Sequence, residues 1–164
     1  MQTDSHNSFT PDQALEIVRI CPENQPHLAD FFHSLASDPE TAFFHPHEFT
    51  DEGARQIATY KGQDLYYAIL YNNQMLGYGM LRGWDEGYII PSLGIAIHSS
   101  VRNMGLGRLM MSFLHAAAQL RGASKIRLKV SPENSTAIRL YTQLGYQFLT
   151  EKENDQLVAY LSLE

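Results

Sequence analysis

The residues with the clearest chemical potential lie in one short run. Leu93-Gly94-Ile95-Ala96-Ile97-His98 is an apolar stretch of strand length, and it leads into Arg102-Asn103-Met104-Gly105-Leu106-Gly107-Arg108, after which apolar residues recur at helical spacing. A strand that turns through glycines into a helix gathers backbone N–H groups at one point. The first N–H groups of a helix lack internal partners and the macrodipole adds about half a positive charge, so such a turn binds phosphate. Gly105 and Gly107 let a pyrophosphate approach the backbone, and Arg102 and Arg108 can supply charge. Two familiar phosphate loops do not fit. A dinucleotide-binding turn needs a third glycine where Met110 stands and an acid about 20 residues later, whereas the next acid after Gly107 is Glu133. A nucleoside-triphosphate loop needs Lys and a hydroxyl after its last glycine, where Arg108 and Leu109 stand. What remains is R-x-x-G-x-G.

Several elements must position this run. Residues 14–20 read as a strand, and a helix after Pro26 places Leu28, Phe31, Phe32 and Leu35 on one face. Thr50 caps a second helix with Asp51 and Glu52 in its first turn, predicted to reach about Lys61. Residues 65–71 and 74–81 flank Asn72-Asn73 as a hairpin, and a strand is predicted from about Tyr88 to His98. Beyond Gly105 the helical stripe is Leu106, Leu109, Met110, Phe113, Ala117 and Leu120, closed by Gly122. Residues 125–130 alternate as a strand, and Asn134 caps a helix whose inner stripe is Ala137, Leu140, Tyr141 and Leu144. Residues 146–149 and 157–163 close the chain as strands. This order requires a mixed sheet with helices packed on it.

Composition sets the bounds. With 164 residues, 44% of them hydrophobic, one compact domain is expected, and no apolar run approaches the roughly 20 residues of a bilayer span. Cys21 is the only cysteine and residues 1–8 show neither a signal nor a transit pattern, so a reducing, cytoplasmic setting is expected. The net charge of −6 conceals a division: residues 1–86 hold thirteen acids and four bases, whereas residues 87–132 hold six bases and no acid. That favours a localised site for a small polyanion over bulk nucleic-acid binding, and no membrane partner is expected.

The pattern Arg102-x-x-Gly105-x-Gly107, followed by Val130-Ser131-Pro132-Glu133-Asn134-Ser135-Thr136-Ala137, Leu140-Tyr141 and Leu144-Gly145-Tyr146, resembles the GCN5-related N-acetyltransferases. The resemblance implies an α/β (α+β) fold, a mixed and mostly antiparallel twisted sheet of six to seven strands flanked by about four helices. It implies residues 13–164 as the acetyltransferase domain after a short polar tail, residues 1–12. It also implies acetyl-CoA as co-substrate and no metal. Ile95, Ala96 and Ile97 would belong to a strand splayed at a bulge, offering backbone groups to the pantetheine arm, with one N–H polarising the thioester carbonyl. Arg102, Asn103, Met104, Gly105, Leu106, Gly107 and Arg108 would hold the pyrophosphate. Asn134 would hydrogen-bond the pantetheine, and Tyr141 would serve as general acid at the sulfur.

The chemistry then expected is direct transfer to a primary amine in a ternary complex. A lysine-like amine, with a pKa near 10.4, is neutral in only about one molecule per 10³ at pH 7, so a base matters. Many relatives place a glutamate two positions before the glycine of the bulged strand, and that position is Ser92 here. The candidates are therefore Asp85, Glu86, His45, His47 or a water chain, and Glu86 is the one carried forward as catalytic. His33, His45 and His47 lack the spacing of a metal motif. Phe43, Phe44, His45, His47, Phe49, Trp84 and Tyr88 are expected around the acceptor, and the acids of the first half are expected to attract a cationic amine. The expected acceptor is a small metabolite amine such as an amino sugar. A protein or peptide acceptor and a non-catalytic acyl-CoA-binding module are the alternatives, with the chain a monomer or homodimer.

Overall fold

The computed structural model describes residues 8–42 and 44–164. Seven strands, β1 (Glu16–Arg19), β2 (Leu65–Tyr71), β3 (Gln74–Arg82), β4 (Ser92–Ile97), β5 (Lys125–Val130), β6 (Gln147–Glu153) and β7 (Gln156–Ser162), form one sheet in the order β1-β2-β3-β4-β5-β7-β6. The helices are α1 (Gln25–Ala36), α2 (Asp51–Ala58), α3 (Leu106–Leu120) and α4 (Ser135–Gln143). Every neighbouring strand pair is antiparallel except β4 and β5. This is the mixed, mostly antiparallel architecture expected from the sequence. No helix among the described residues is long and apolar enough to cross a membrane.

Alternation along the strands divides the interior into two cores. On one face, Leu65, Ile69, Leu81, Leu93, Ile126 and Leu128 pack with α3 and α4; on the other, Tyr66, Ala68, Tyr78, Met80 and Ala96 pack with α1 and α2. The predicted α1 stripe is buried as expected, at Leu28, Phe31, Phe32 and Leu35. The α3 stripe is rotated from the predicted one. Met110, Met111, Leu114 and Ala118 are buried, whereas Leu109 is exposed and Leu120 is 90% exposed. Apolar residues cover too much of this helix to fix its phase, and β3 decides it. A Cβ at Gly79 would fall 2.6 Å from the Met110 sulfur, so that glycine makes the slot Met110 fills.

Three boundaries differ from the sequence reading by three residues or more. Helix α2 ends at Ala58 rather than near Lys61, because the Thr59 hydroxyl turns back onto the Arg55 carbonyl and the Tyr60 hydroxyl accepts the Asp64 N–H. Strand β4 begins at Ser92 rather than Tyr88, since Gly87 takes φ +85° and the Tyr88 N–H returns to the Gly83 carbonyl. Strand β6 runs on to Glu153, where Asn154 and Asp155, both at positive φ, form a tight two-residue turn into β7.

Candidate functional site

Strands β4 and β5 touch at one register point and then part. Ser92 pairs with Arg127, the Arg127 N–H reaches the Pro91 carbonyl, and no residue beyond Ser92 pairs with β5. The register against β3 runs unbroken from Gly77↔Ile97 to Arg82↔Ser92, so the expected bulge is absent. The strand is opened by divergence of its parallel neighbour instead. In an antiparallel ladder alternate residues spend both backbone groups on the partner. The His98 N–H bonds the Leu76 carbonyl, which extends the register by one and places Ala96 and Gly94 on the β3 side of β4. Ile95 and Ile97 therefore present N–H and C=O into the gap between β4 and β5. Ala96, expected to do the same, does not: its backbone groups face β3.

The loop that follows ends at the mouth of this gap. Asn103 and Gly105 take φ +62° and +86°, and Gly105 is the N-cap of α3. The first intrahelical bond of α3 is Leu109 N–H to the Gly105 carbonyl, so the N–H groups of Leu106, Gly107 and Arg108 have no helical partner. Nothing lies within 4 Å of a Cβ placed on Gly105, and one on Gly107 would be 3.6 Å from Leu140 and 3.9 Å from Ile95 and Ile97. The loop, the splayed strand and α4 thus meet at one place. Unpaired backbone donors around an open, side-chain-free cradle fit the phosphates and amide arm of coenzyme A.

The two arginines of the loop have separate partners. Arg108 donates to the Gln143 side chain on α4 at 2.6 Å and stays exposed. Arg102, expected at the pyrophosphate, is clamped by Asp38 and by Glu40, the latter at 2.6 Å. Burial pulls the Asp38 carboxyl upward, yet hydrogen bonds from the Arg102 side chain and the Glu40 N–H, together with the arginine charge, hold it below 3.8. The ion pair ties the loop before α3 to the segment after α1. The other bases of the acid-free stretch are dispersed: Arg121 stacks on Trp84, and Arg127 and Lys129 belong to a different wall.

Tyr141 sits on the buried face of α4, 7% exposed, with its ring 5.8 Å from that of Tyr146. The Tyr146 hydroxyl is fixed by a 2.8 Å hydrogen bond to His115 Nε2. Among the described residues the Tyr141 hydroxyl has no hydrogen-bond partner, and burial pushes its pKa up to about 12. It is a protonated donor throughout the neutral range. Asn134 accepts the Ala137 N–H through Oδ1 and so caps α4, while its Nδ2 has no partner among the described residues.

On the far side of β4 lies a cavity of about 1220 Å³. Ser92 and Gly94 contribute from β4, Met80 and Arg82 from β3, and Arg127 and Lys129 from β5. Glu86 and Tyr88 close it from the 83–90 loop, and Phe44 and His45 from the segment before α2. Of the candidate bases, Asp85 is consumed: it accepts the Tyr60 hydroxyl and the Gln63 N–H. His47 is bound to the buried Tyr78 hydroxyl at 2.8 Å, and burial lowers its pKa. Glu86 and His45 remain exposed in the cavity wall. The expected ring cluster divides likewise. Phe44, His45 and Tyr88 face the cavity, whereas His47 and Phe49 pack on Phe32 and Trp84 is covered by Arg121. Phe43 lies outside the described residues.

Sequence reasoning missed Arg82, Arg127, Lys129 and Glu153, all in the cavity wall. The alternation of residues 125–130 contained the signal, since it puts Arg127 and Lys129 on the face opposite Ile126 and Leu128. These cations also correct the expected acidic wall: among the described residues Glu86 is the only first-half acid that lines the cavity. Among the described residues no group of three or more His, Cys, Asp or Glu is placed to hold a metal ion.

A sequence model described as the Acetyltransferase (GNAT) family matches residues 28–146. The chain is similar in fold to the GNAT domain of S. lividans PAT, with TM-score 0.76, 13% identity and 90% of each chain covered. It is similar to an N-acetyltransferase from Staphylococcus aureus Mu50, with TM-score 0.70 and 15% identity over 92% of this chain and 99% of that one. It is also similar to the PaiA N-acetyltransferase of Thermoplasma acidophilum, solved in complex with coenzyme A, with TM-score 0.73 and 12% identity over 91% and 99%. No curated protein matches the chain by sequence. With the family's sequence pattern spanning most of its length and the splayed β4 and glycine turn in place, this chain belongs to the GNAT acetyltransferase family.

Proposed function

We propose that this chain transfers an acetyl group from acetyl-CoA to the nitrogen of a small primary amine, by direct attack in a ternary complex. The observation that carries the reading is the pair of unpaired backbone residues Ile95 and Ile97 in a gap that opens beside the α3 N-terminus and Leu140 of α4, the helix that carries Tyr141. Acetyl-CoA supplies a thioester carbon open to attack and a thiol leaving group. The N–H groups of residues 103–108, with the Arg108 side chain, hold the pyrophosphate. The Ile95 N–H is preorganised for the carbonyl oxygen, whose negative charge grows as the C–N bond forms. Glu86 takes the proton lost by the ammonium group, directly or through water. As the C–S bond breaks, the Tyr141 hydroxyl donates a hydrogen bond to the departing sulfur.

The magnitude of the tyrosine shift limits that last role. Against a thiol of ordinary pKa near 8.5, moving the proton fully from Tyr141 is uphill by roughly 5 kcal/mol. Tyr141 therefore stabilises the thiolate as a donor, and the proton arrives from solvent after release.

The cavity of about 1220 Å³ has room for a metabolite acceptor such as an amino sugar, and that is the acceptor class we propose. The test is thiol release over a panel of amino sugars, polyamines, amino acids and peptides, with mass spectrometry of the acceptor. Acetylated small amine together with stoichiometric free thiol is the expected result. An acetylated enzyme after incubation with acetyl-CoA alone would overturn direct transfer, and coenzyme binding without any acetylated acceptor would leave a binding module.

A further inference from the structure

The charged groups on the floor of the acceptor cavity are not used by the chemistry described so far. Arg127 and Lys129 alternate along β5 with the buried Ile126, Leu128 and Val130, so both stand on the cavity face. The core on that face draws its residues from α1, α2 and strands β1 to β4, which leaves the β5 end without a helical cover. Both cations share one carboxylate: Glu153 is 3.0 Å from Arg127 Nη2 and 3.0 Å from Lys129 Nζ. Among the described residues Arg82 is matched only by a neutral group, giving Nη1 to the Pro46 carbonyl at 2.7 Å. The Glu86 side chain has no ionic partner among the described residues and belongs to the loop at the rim.

Three cations against Glu153 leave an excess of positive charge at the floor of a cavity in a chain of net charge −6. The Arg127 and Lys129 side chains are only 23% and 32% exposed, so water screens that excess poorly. The Arg127 Nε is buried with no partner, so its guanidinium is not saturated by Glu153. None of these groups lies on the coenzyme loop, where Arg102 is held by Asp38 and Glu40 and Arg108 donates one bond to Gln143 and is otherwise exposed. Their place along the sheet matters. Counted from the Ser92↔Arg127 pairing, Lys129 lies two residues further along β5 toward the splayed end and Gly94 two residues further along β4, while Arg127 is at the level of Ser92, three residues, roughly 10 Å, from Ile95. A small molecule spans that distance.

We infer that the acceptor is an amine that also carries a carboxylate or phosphate, and that Lys129, Arg127 and Arg82 take this anionic group while the amine faces Glu86 and Ile95. The inference rests on the acetyl-transfer reading and narrows its acceptor. It adds to the expectation of a cationic amine attracted by the acids of the first half: the acceptor we infer bears both signs.

Matched pairs test it: glucosamine against glucosamine 6-phosphate, and butylamine against 4-aminobutanoate. The anionic member of at least one pair is expected to have a kcat/KM about 10-fold or more higher, the scale of one charge-assisted hydrogen bond. The pair with the larger ratio tells phosphate from carboxylate. Lys129→Gln and Arg127→Gln are each expected to bring that ratio close to one through the KM of the anionic amine, with the melting shift induced by acetyl-CoA retained as proof of folding. Arg127 packs on Tyr160, so Lys129→Gln is the variant that stands if Arg127→Gln does not fold. Equal rates within both pairs, or a ratio unchanged in Lys129→Gln, overturn the inference while leaving acetyl transfer intact. If no amine is acetylated, the transfer reading falls, and calorimetric titration with glucosamine 6-phosphate and glucosamine still decides the anion site: tighter binding of the phosphate, lost in Lys129→Gln, supports it, and equal binding overturns it.

Discussion

The two sides of β4 are built on different principles. On the side assigned to the coenzyme, the groups on offer are backbone ones from residues 95–108, and they are set by strand parity, by two positive φ angles and by the start of one helix. On the acceptor side, side chains from the segment before α2, from β3, from the 83–90 loop, from β5 and from the β6–β7 hairpin converge on one cavity. A backbone site tolerates almost any side chain where a Cβ has room, but depends on the few positions where none is allowed. A side-chain site depends on every element holding its register. Damage should therefore be local and severe on the first side, distributed and graded on the second.

The sharpest break in that contrast is Gly105→Val. Gly105 has φ +86°, where a β-branched residue is strained by about 1–3 kcal/mol. Relief by rotating the peptide would turn the N–H groups of 106–108 away, and losing two charge-assisted hydrogen bonds weakens coenzyme binding about 100-fold or more. Asparagine tolerates this region, so Gly105→Asn should keep most of the affinity. Calorimetry with coenzyme A reads both. Equal loss in the two variants would show that bulk, not backbone angle, is what the loop cannot accept.

Tyr141→Phe comes next and separates turnover from binding. It removes only a hydroxyl with no partner among the described residues, so stability and coenzyme affinity should change little while kcat falls about 10- to 100-fold. Its pH behaviour is equally specific. Because burial holds the hydroxyl near 12, it stays protonated well beyond neutrality, so the pH–rate profiles of the variant and parent should be parallel below about pH 10. A limb in that range that disappears in Tyr141→Phe would mean the tyrosine titrates in the reaction.

The same contrast explains what could be read from the chain beforehand. Element order, the α1 face, the Asn72-Asn73 hairpin and the glycine turn are local patterns, and all are present in the fold. The α3 phase was not legible, because it is set by a glycine on β3, thirty-one positions before the methionine that fills its slot. The resemblance does not separate Ala96 from Ile95 and Ile97, because parity is invisible until the register with β3 is known. The cationic cavity floor was missed for a related reason. Counting charges along the sequence put Arg82 with the acidic half and Arg127 and Lys129 with the phosphate loop, whereas strand pairing brings them to one wall.

Arg102 joins the two sides, and its replacement should have an intermediate effect. Its side chain holds Asp38 and Glu40, at the start of the segment that carries Phe44 and His45 to the cavity. Arg102→Gln should raise the acceptor KM several-fold and change coenzyme affinity less. A dominant loss of coenzyme binding would return the side chain to the phosphates. The pair also has a pH signature. The Asp38 pKa is depressed in the folded chain, so its contribution to stability is present above 3.8 and is lost as pH falls through the lowered value. The acid-side decline in melting temperature should therefore be shallower in Arg102→Gln than in the parent.

The smallest effect tests a residue that can serve both sides of the argument at once. Asn134 caps α4 through Oδ1, and Nδ2 is left to donate to the pantetheine. Asn134→Ala removes both functions and should cost about 1 kcal/mol of stability, the usual value of such a cap. Asn134→Asp keeps an acceptor at the cap, and its negative charge suits a helix N-terminus, so the melting temperature should be held or slightly raised. It has lost the N–H donor, however, and faces the pantetheine with a charge, so coenzyme affinity should fall about 5-fold or more, the value of one ordinary hydrogen bond. If Asn134→Asp binds coenzyme A as the parent does while Asn134→Ala melts lower, Asn134 is a cap alone, and the coenzyme is held without a side-chain contact from α4's first turn.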